Sequence, residues 1–302
     1  MPFALVATEA GITALDADGA ARVEHDDPTV SRLVRTHAGW WATAGGGRVL
    51  RRDDQARWSE FAQADAELTC VLPFQGAAVA GARDGRLLRL AADQVEPLTG
   101  FEEVEGREDW HAVGSRVPYV RSLSATADAG ALLANVHVGG IPRSTDGGAT
   151  WSPTIEPDAD VHEVRAHPSD PSVVLAAAAV GFAESTDGGA SWKVITDGLH
   201  ATYARAVAFA SEAALVTVSD GPFSTEGAVY RWVLGADGPL EQCLDGLPGW
   251  LAGNIDTGCL DASGEDAVLL DAGGAVFASG DDGLSWFHLA DIDTNATSIV
   301  LA

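Results

Sequence analysis

The chain has few positive charges and almost no lysine. Only 18 of its 302 residues are lysine or arginine, against 44 aspartates and glutamates, and Lys193 is the only lysine. The net charge of −26 opposes binding to nucleic acids and to anionic membrane surfaces, because both depend on basic patches. Apolar runs are also short, and none approaches the roughly 18 residues of a membrane-spanning helix. The sequence therefore predicts neither a nucleic-acid partner nor a membrane contact.

Targeting signals, cysteines and cofactor motifs are equally sparse. The stretch from Met1 to Glu9 has no basic segment followed by a long apolar one, so we expect no signal peptide and a cytoplasmic protein. Cys70, Cys243 and Cys259 are an odd number without metal-ligand spacing, which indicates buried free thiols. No phosphate-binding or dinucleotide-binding glycine loop occurs in the expected context, and we predict no cofactor.

Glycine, in contrast, is abundant, with 34 residues, and it marks a repeat. Strand-like segments that begin at a glycine recur at Gly11, Gly47, Gly85, Gly140, Gly181, Gly227 and Gly274. Their spacings of 36, 38, 55, 41, 46 and 47 residues are typical of β-propeller blades with four short strands each. Each repeat contains an inner strand, a very apolar second strand, the glycine-led third strand and an outer strand. The chain is therefore predicted to be a single all-β domain over residues 1–302, a seven-bladed β-propeller.

The two ends of the chain are predicted to meet in one blade. The chain begins directly in a second strand at residues 3–7, and residues 296–301 match the inner-strand pattern. The C-terminal strand should therefore complete the first blade and leave no unpaired strand edge. Two insertions, at about residues 101–118 and 219–226, interrupt the repeat at the end of the blades where the inner strands start. Long loops on such a scaffold often carry function, so we expect the site at that end.

A second pattern, S-x-D-x-G-x-x-W, precedes several outer strands. Three full copies contain Asp146, Asp187 and Asp281, each followed five residues later by a tryptophan (Trp151, Trp192 and Trp286), and a degenerate copy pairs Asp53 with Trp58. The pattern resembles the Asp-box of the BNR-repeat proteins, which include sialidases and belong with WD40/YVTN-like propellers. The resemblance implies that the aspartate accepts bonds within a hairpin turn, that the glycine supplies φ > 0 and that the tryptophan packs on the blade. We predict that these residues are structural and lie opposite the insertions.

Aligned inner strands place basic side chains at one level of three adjacent blades. Arg121, His162 and Arg205 each stand two residues before an apolar strand residue. The loops and strand ends around them should add further ligand-binding residues, namely His137, His200, Trp110 and His111, with Tyr119, Asp220 and Asp256 nearby. Such a set fits an anionic or polyhydroxylated ligand. The alternative is that these side chains only satisfy carbonyls and carboxylates along a water-filled channel.

Two functions fit this rim. The first is a non-catalytic propeller, a monomer, that binds an unidentified small molecule, glycan or protein partner over blades 3–6. The second is a glycoside hydrolase or lyase that acts on a sugar-like or acidic substrate, with Glu163, Tyr203 and His162 as candidate catalytic residues. His137, His162 and His200 also lie on adjacent blades, but we predict no metal site.

The resemblance to sialidases sharpens the choice. It implies an arginine triad, a Tyr/Glu nucleophile pair, an Asp acid and an Arg-Ile-Pro motif. The chain has only two rim arginines at equivalent levels, and its nearest match to the motif is the reversed order Ile141-Pro142-Arg143. The sequence therefore favours the binding role.

Overall fold

The seven repeats form seven antiparallel sheets arranged in a ring. The computed structural model describes residues 3–92, 94–292 and 295–302. The first strand of each blade contacts the first strand of the next, so the inner strands surround a central channel. The prediction of an all-β, seven-bladed β-propeller is confirmed.

Each blade has four strands, and one blade has an additional short strand. The first three blades contain β1 (Ala4–Thr8), β2 (Gly11–Leu15) and β3 (Ala21–His25), then β4 (Val30–Thr36), β5 (Gly39–Ala44), β6 (Arg48–Arg52) and β7 (Trp58–Gln63), then β8 (Leu68–Phe74), β9 (Ala77–Ala82), β10 (Leu87–Ala91) and β11 (Gln94–Pro97). Blades 4 and 5 contain β12 (Val120–Ala125), β13 (Leu132–Val136), β14 (Pro142–Ser144) and β15 (Ser152–Pro153), then β16 (Val161–Ala166), β17 (Val174–Ala178), β18 (Gly181–Ser185) and β19 (Lys193–Ile195). Blades 6 and 7 contain β20 (Tyr203–Phe209), β21 (Ala213–Ser219), β22 (Glu226–Val233), β23 (Glu241–Gln242) and the additional β24 (Leu251–Ala252), then β25 (Leu260–Ser263), β26 (Asp266–Leu270), β27 (Ala275–Ser279) and β28 (Phe287–Asp291). The last strand, β29 (Ser298–Leu301), is the inner strand of blade 1.

Strand β29 closes the ring as the sequence predicted. It pairs antiparallel with β1, from Ala4 opposite Leu301 to Ala7 opposite Ser298. All four of its residues are buried. It also contacts blade 2, because the Leu33 N–H donates to Ser298 Oγ at 3.0 Å. The two ends of the chain are thus joined through one sheet.

The core lies between neighbouring blades. Every residue of the second strands β13, β17 and β21 is buried. These strands are covered on both faces, which explains why they read as continuous apolar runs rather than as an alternating pattern. The three cysteines are also buried and unpaired, as expected from their number.

The S-x-D-x-G-x-x-W segments form the turns between the third and fourth strands of blades 2, 4, 5 and 7. In blade 4, Asp146 accepts bonds from Thr150 N at 2.9 Å and Thr150 Oγ1 at 2.7 Å, and Trp151 Nε1 donates to the Gly148 carbonyl at 3.0 Å. Asp187 and Asp281 accept corresponding bonds from Ser191 and Ser285. The bonds from Thr150 lower the pKa of Asp146 to about 2.

In the degenerate blade 2 copy, Asp53 accepts bonds from the N–H groups of Gln55 and Arg57, both at 2.9 Å. The Trp58 indole donates to Glu24 Oε1 at 2.9 Å. In all four turns the aspartate oxygens therefore have local partners within the hairpin.

The first insertion contains two 3-10 helices, Thr99–Glu103 and Arg107–Asp109, between β11 and β12. A third 3-10 helix, Pro157–Ala159, precedes β16. The second insertion connects β21 to β22. Among the residues that the structure describes, no helix has the length and hydrophobicity needed to cross a bilayer.

Candidate functional site

The inner strands of blades 2–6 share a β-bulge near their start. The basic residues that the sequence alignment placed at one level stand at this bulge. The pairing of the first and second strands skips Arg121 in blade 4, His162 in blade 5 and Arg205 in blade 6. The same skip occurs at Ser31 and Thr69 in blades 2 and 3. A bulge takes a residue out of the regular pleat and re-aims its side chain. The level inferred by sequence alignment is therefore a real structural feature of these five blades.

Two guanidinium groups meet one carboxylate at the channel mouth. Arg121 Nη2 donates to Asp256 Oδ1 at 3.0 Å, and Arg205 Nη2 donates to Asp256 Oδ2 at 2.7 Å. Burial by itself would raise the pKa of Asp256, but the two arginines outweigh it and lower this pKa to about 2. The Asp256 side chain nevertheless keeps 48% of its surface exposed. A ligand in the channel can therefore reach Asp256 directly, whereas the side chains of Arg121 and Arg205 keep only 8% and 13% of their surface exposed.

A third arginine, missed by the alignment, joins this group from the other side of the channel. Arg32 follows the bulge residue Ser31, and its Nη1 donates to the carbonyl of Thr257. Its charge also contributes to the lowered pKa of Asp256. The position in blade 2 that aligns with Arg121, His162 and Arg205 is Ser31, so the alignment overlooked the arginine beside it. An arginine directly after the bulge residue was the signal that could have revealed it.

The mouth opens into a cavity of about 340 Å³, which is within the usual size range of ligand pockets. Its lining includes Arg32, Tyr119, Arg121 and Asp256. Glu67 and Arg83 line it as well. Four arginines (Arg32, Arg83, Arg121 and Arg205) and three carboxylates (Glu67, Asp160 and Asp256) therefore give the mouth one more positive than negative charge. This local excess stands out in a chain of net charge −26.

Each bulge arginine is accompanied by a tyrosine two residues earlier. The guanidinium carbon of Arg121 lies 6.0 Å from the ring centre of Tyr119, and that of Arg205 lies 5.5 Å from the ring centre of Tyr203. Arg205 Nη1 also donates to the Tyr203 hydroxyl at 3.3 Å. Arg205 Nε is buried and has no hydrogen-bond partner among the described residues. This N–H is shielded from the channel, so Arg205 contacts the mouth through its Nη atoms.

Blade 5 lies between the two blades that contain these tyrosine–arginine pairs. It has Asp160 at the position of the tyrosine and His162 at the position of the arginine. His162 is fully buried, and its Nδ1 lies 2.6 Å from the Ala204 carbonyl oxygen. His137, which follows β13 in blade 4, has its Nε2 3.5 Å from Asp160 Oδ1, while His162 Nε2 lies 3.6 Å from Asp160 Oδ2. Burial, reinforced by Arg121, lowers the pKa of His137 to about 4, and burial also lowers the pKa of His162. Both imidazoles are therefore neutral at pH 7.

Glu163, a predicted catalytic candidate, lies in the seam between blades 5 and 6. The side chain is buried, and its Oε2 accepts a bond from the Val207 N–H at 3.1 Å. One blade earlier, Ser122 Oγ accepts the equivalent bond from the Val164 N–H at 3.0 Å. Glu163 thus has the same connecting role as a serine at the preceding seam.

Glu163 and Tyr203, two of the candidate catalytic residues, share no contact among the described residues. The other oxygen of Glu163, Oε1, accepts a bond from Arg165 at 3.2 Å. The Tyr203 hydroxyl instead contacts Arg205, and the Tyr203 ring packs 4.7 Å from the ring of His162. Burial raises the pKa of Tyr203, so this group is a neutral phenol. The proposed nucleophile pair is therefore not assembled.

Three other predicted ligand-binding residues lie apart from this group. Trp110 is only 4% exposed and packs against Phe101 with ring centres 5.4 Å apart, so it belongs to the core of the insertion. His111 is exposed, and its Nδ1 lies 3.1 Å from the carbonyl oxygen of Asp109. His200 has its Nδ1 2.8 Å from the Tyr230 hydroxyl. The structure thus brings Asp160, rather than His200, together with His137 and His162.

A second charged layer lies below the mouth. Arg165 Nη1 donates to Asp261 Oδ1 at 2.9 Å, and Arg35 Nε donates to Asp261 Oδ2 at 3.1 Å. With Glu163, these residues form a belt of two arginines and two carboxylates in which the charges balance. A larger chamber of about 930 Å³ includes this belt and extends toward the other end of the channel. This chamber shares Arg32 and Arg121 with the mouth.

Comparisons with known proteins show the fold and nothing finer. No family model and no curated protein matches the chain. Among solved structures, a GH74 enzyme from Niastella koreensis aligns with a TM-score of 0.59 at 14% identity over 86% of this chain and 46% of that one. YCF48 bound to D1 peptide aligns with a TM-score of 0.57 at 14% identity over 87% and 83% of the two chains. The RRP9 WD40 repeats align with a TM-score of 0.60 at 14% identity over 87% and 80%.

The chain therefore spans less than half the length of that GH74 structure. These similar structures include an enzyme, a protein bound to a peptide and WD40 repeats. At this level of identity, the shared fold leaves the activity of the chain open.

Proposed function

We propose that this protein is a binding propeller that holds the anionic group of a ligand at the channel mouth of blades 4–6. The observation that carries the proposal is the convergence of Arg121 and Arg205 on the half-exposed carboxylate of Asp256. The ligand is a small molecule, an acidic glycan or a peptide with a carboxylate. The same rim was the expected site from sequence, although the residues that assemble there are only partly those predicted.

Asp256 acts as an internal stand-in for such a ligand. Arginine presents its donors in a planar fork that suits carboxylates, and the two guanidiniums bind the carboxylate of Asp256. A second anion is favoured because the mouth has excess positive charge. The tyrosines beside the arginines add apolar ring surface for the rest of the ligand.

We also propose that the chain is a divergent Asp-box propeller. The hydrogen bonds of Asp146, Asp187 and Asp281 within their hairpins support this relationship. YCF48, whose structure has a similar ring, is bound to a peptide, which supports a peptide as one ligand class for this chain.

The hydrolase or lyase alternative has less support. A glycosidase needs a carboxylate free to act as acid, base or nucleophile, and both oxygens of Glu163 are occupied by the Val207 N–H and Arg165. We therefore propose no role in catalysis for Glu163. Turnover of a chromogenic glycoside that survives in a Glu163→Gln variant but is lost with Arg121→Ala would revive this alternative with other residues.

The test is a calorimetric and thermal-shift titration with acetate, succinate, citrate, sialic acid and inorganic phosphate. We expect at least one carboxylate to bind and to raise the melting temperature. The Arg121→Ala and Arg205→Ala variants should lose this response, and Arg205→Lys should recover part of it, because lysine keeps the charge but not the fork. Arg22→Ala, an exposed arginine on an outer strand of blade 1, is the matched control. Equal anion binding by the mouth variants and the control would refute the proposal.

A further inference from the structure

We propose that His137, Asp160 and His162 form a binding site for a divalent first-row transition-metal ion beside the channel mouth. The three residues come from two adjacent blades, and their ligand atoms all lie within 4.8 Å of one another. His162 is fully buried and His137 is 7% exposed. The site adjoins the arginines that carry the proposed function but uses neither of them as a ligand.

The separations between the ligand atoms suit a metal ion. Asp160 lies between the two rings, with its oxygens 3.5 Å from His137 Nε2 and 3.6 Å from His162 Nε2. These distances are too long for good hydrogen bonds. Two atoms bound to one ion at ~2.0–2.2 Å lie roughly 3.0–3.5 Å apart, depending on the angle between them. Small side-chain rotations would therefore bring all three atoms to one ion.

The placement of protons supports the same conclusion. His162 Nδ1 lies 2.6 Å from the Ala204 carbonyl oxygen, which can only accept, so Nδ1 carries the proton of the neutral ring. Nε2 then presents a lone pair toward the Asp160 carboxylate. His162 Nε2 and Asp160 Oδ1 are both buried and have no hydrogen-bond partner among the described residues. The lone pairs of these groups repel each other when they face each other with nothing between them. A cation bound between them would be coordinated by both.

The surrounding structure holds these ligands in place. A ligating histidine usually donates its other N–H to a carbonyl or carboxylate, and the bond from His162 to Ala204 has this form. Asp160 has a left-handed backbone conformation, with φ of 47°, which is uncommon outside glycine. This conformation ends the 3-10 helix Pro157–Ala159 immediately before β16. Strained backbone of this kind concentrates at binding and catalytic sites.

The ligand set selects the class of metal. Two imidazoles and one carboxylate suit zinc and neighbouring transition metals, whereas calcium and magnesium prefer oxygen ligands. Three protein ligands leave at least one coordination position for water or another small ligand. The exposed part of the Asp160 side chain, 18% of its surface, marks the side from which such a ligand can approach.

Zinc titration of the chelator-treated, full-length protein, in buffer free of organic anions, tests the site. We expect one zinc ion per chain by calorimetry and a higher melting temperature with zinc, because an ion that binds only the folded state stabilises it. Asp160→Asn and His137→Gln should each weaken zinc binding by at least about 100-fold. Loss of a group that only hydrogen-bonds to a metal ligand costs less, ~10–100-fold. Asparagine also tolerates the left-handed conformation of Asp160. His288→Gln is the matched control, since His288 pairs with Asp291 at 2.9 Å on the exposed surface.

Cobalt(II) gives a readout that needs no variant. Its visible spectrum in the wild-type protein should show the strong bands of four- or five-coordinate cobalt. The weak spectrum of hydrated cobalt, or equal zinc affinity in the wild type and both site variants, would overturn the proposal. Since the zinc titration contains no carboxylate ligand and the anion titration contains no metal, either proposal can fail without the other.

Discussion

Strand β29 offers a quantitative test of ring closure. Ile299 is fully buried between blades 1 and 7, and it pairs with Val6 of β1. Truncation of a buried isoleucine to alanine costs about 2–5 kcal/mol, since transfer and cavity terms add. With an unfolding entropy of ~2.1 cal/mol/K per residue, a domain of 302 residues loses roughly 1.6 °C of melting temperature per kcal/mol. Ile299→Ala should therefore lower the melting temperature by about 3–8 °C.

Removal of residues 296–302 extends the same argument. It takes away Ile299, Val300 and Leu301, which are each at most 6% exposed and are each worth about 1.5–3 kcal/mol in burial. The total approaches the ~5–15 kcal/mol that stabilises a typical domain, and β1 also loses its partner strand. We expect a chain that ends at residue 295 to lose its cooperative transition.

Circular dichroism melting curves provide the measurement for both variants. Phe223→Ala is the control, because this ring is 90% exposed on the second insertion and its loss should change stability by no more than about 0.5 kcal/mol. An Ile299→Ala or truncated chain that melts like the wild type would show that β29 does not bear on stability, and the closure argument would fail.

Three further predictions concern the charged residues. Asp256→Asn should raise the affinity for carboxylates several-fold in calorimetry, because the internal competitor for the two arginines loses its charge; an unchanged or lower affinity would contradict the stand-in role. Glu163→Gln should lower the melting temperature, since it weakens the buried pair with Arg165, while anion binding stays within about two-fold; loss of binding with an unchanged melting curve would contradict the seam role. Hydrogen bonds from Ser191 lower the pKa of Asp187 to about 2, below its ordinary 3.8. This depressed pKa stabilises the fold above about pH 4, and the contribution is lost as the pH falls toward 2. The melting temperature of Asp187→Asn should therefore fall less steeply than that of the wild type as the pH is lowered. Equal slopes for the two proteins would refute this contribution of Asp187 to stability.

Much of the fold was predictable because it depends on local and repeated signals. A glycine at the start of each third strand and a short, very apolar second strand recur in every blade, so the number of blades followed from counting. Closure was predictable for the same reason, because residues 3–7 begin the chain in a second strand and residues 296–301 match the inner-strand pattern. The aligned level of Arg121, His162 and Arg205 was also predictable, since the bulge that re-aims them occurs at the same place in the inner strands of blades 4, 5 and 6.

The site itself was less predictable because its contacts join distant parts of the chain. Arg32 reaches the Thr257 carbonyl across the channel, and no local pattern records how far a long side chain extends. Glu163 differs from its neighbour His162 in the direction of its side chain, which is set by packing against blade 6. Trp110 lies in an acidic insertion that was expected to contribute to the rim, yet its ring packs against Phe101, which in turn packs against Trp151 in the core.

Residue periodicity was thus sufficient to predict a closed ring of seven blades. It also predicted that both insertions lie at the end of the blades where the inner strands start. The pairing of Arg121 and Arg205 with Asp256, and the meeting of His137 and His162 at Asp160, arose only when the ring closed and brought separate blades side by side. The physical reason is that backbone pairing within a blade repeats along the chain. Side-chain pairing across a seam or a channel depends instead on curvature, bulge direction and side-chain length, which act together only in the assembled ring.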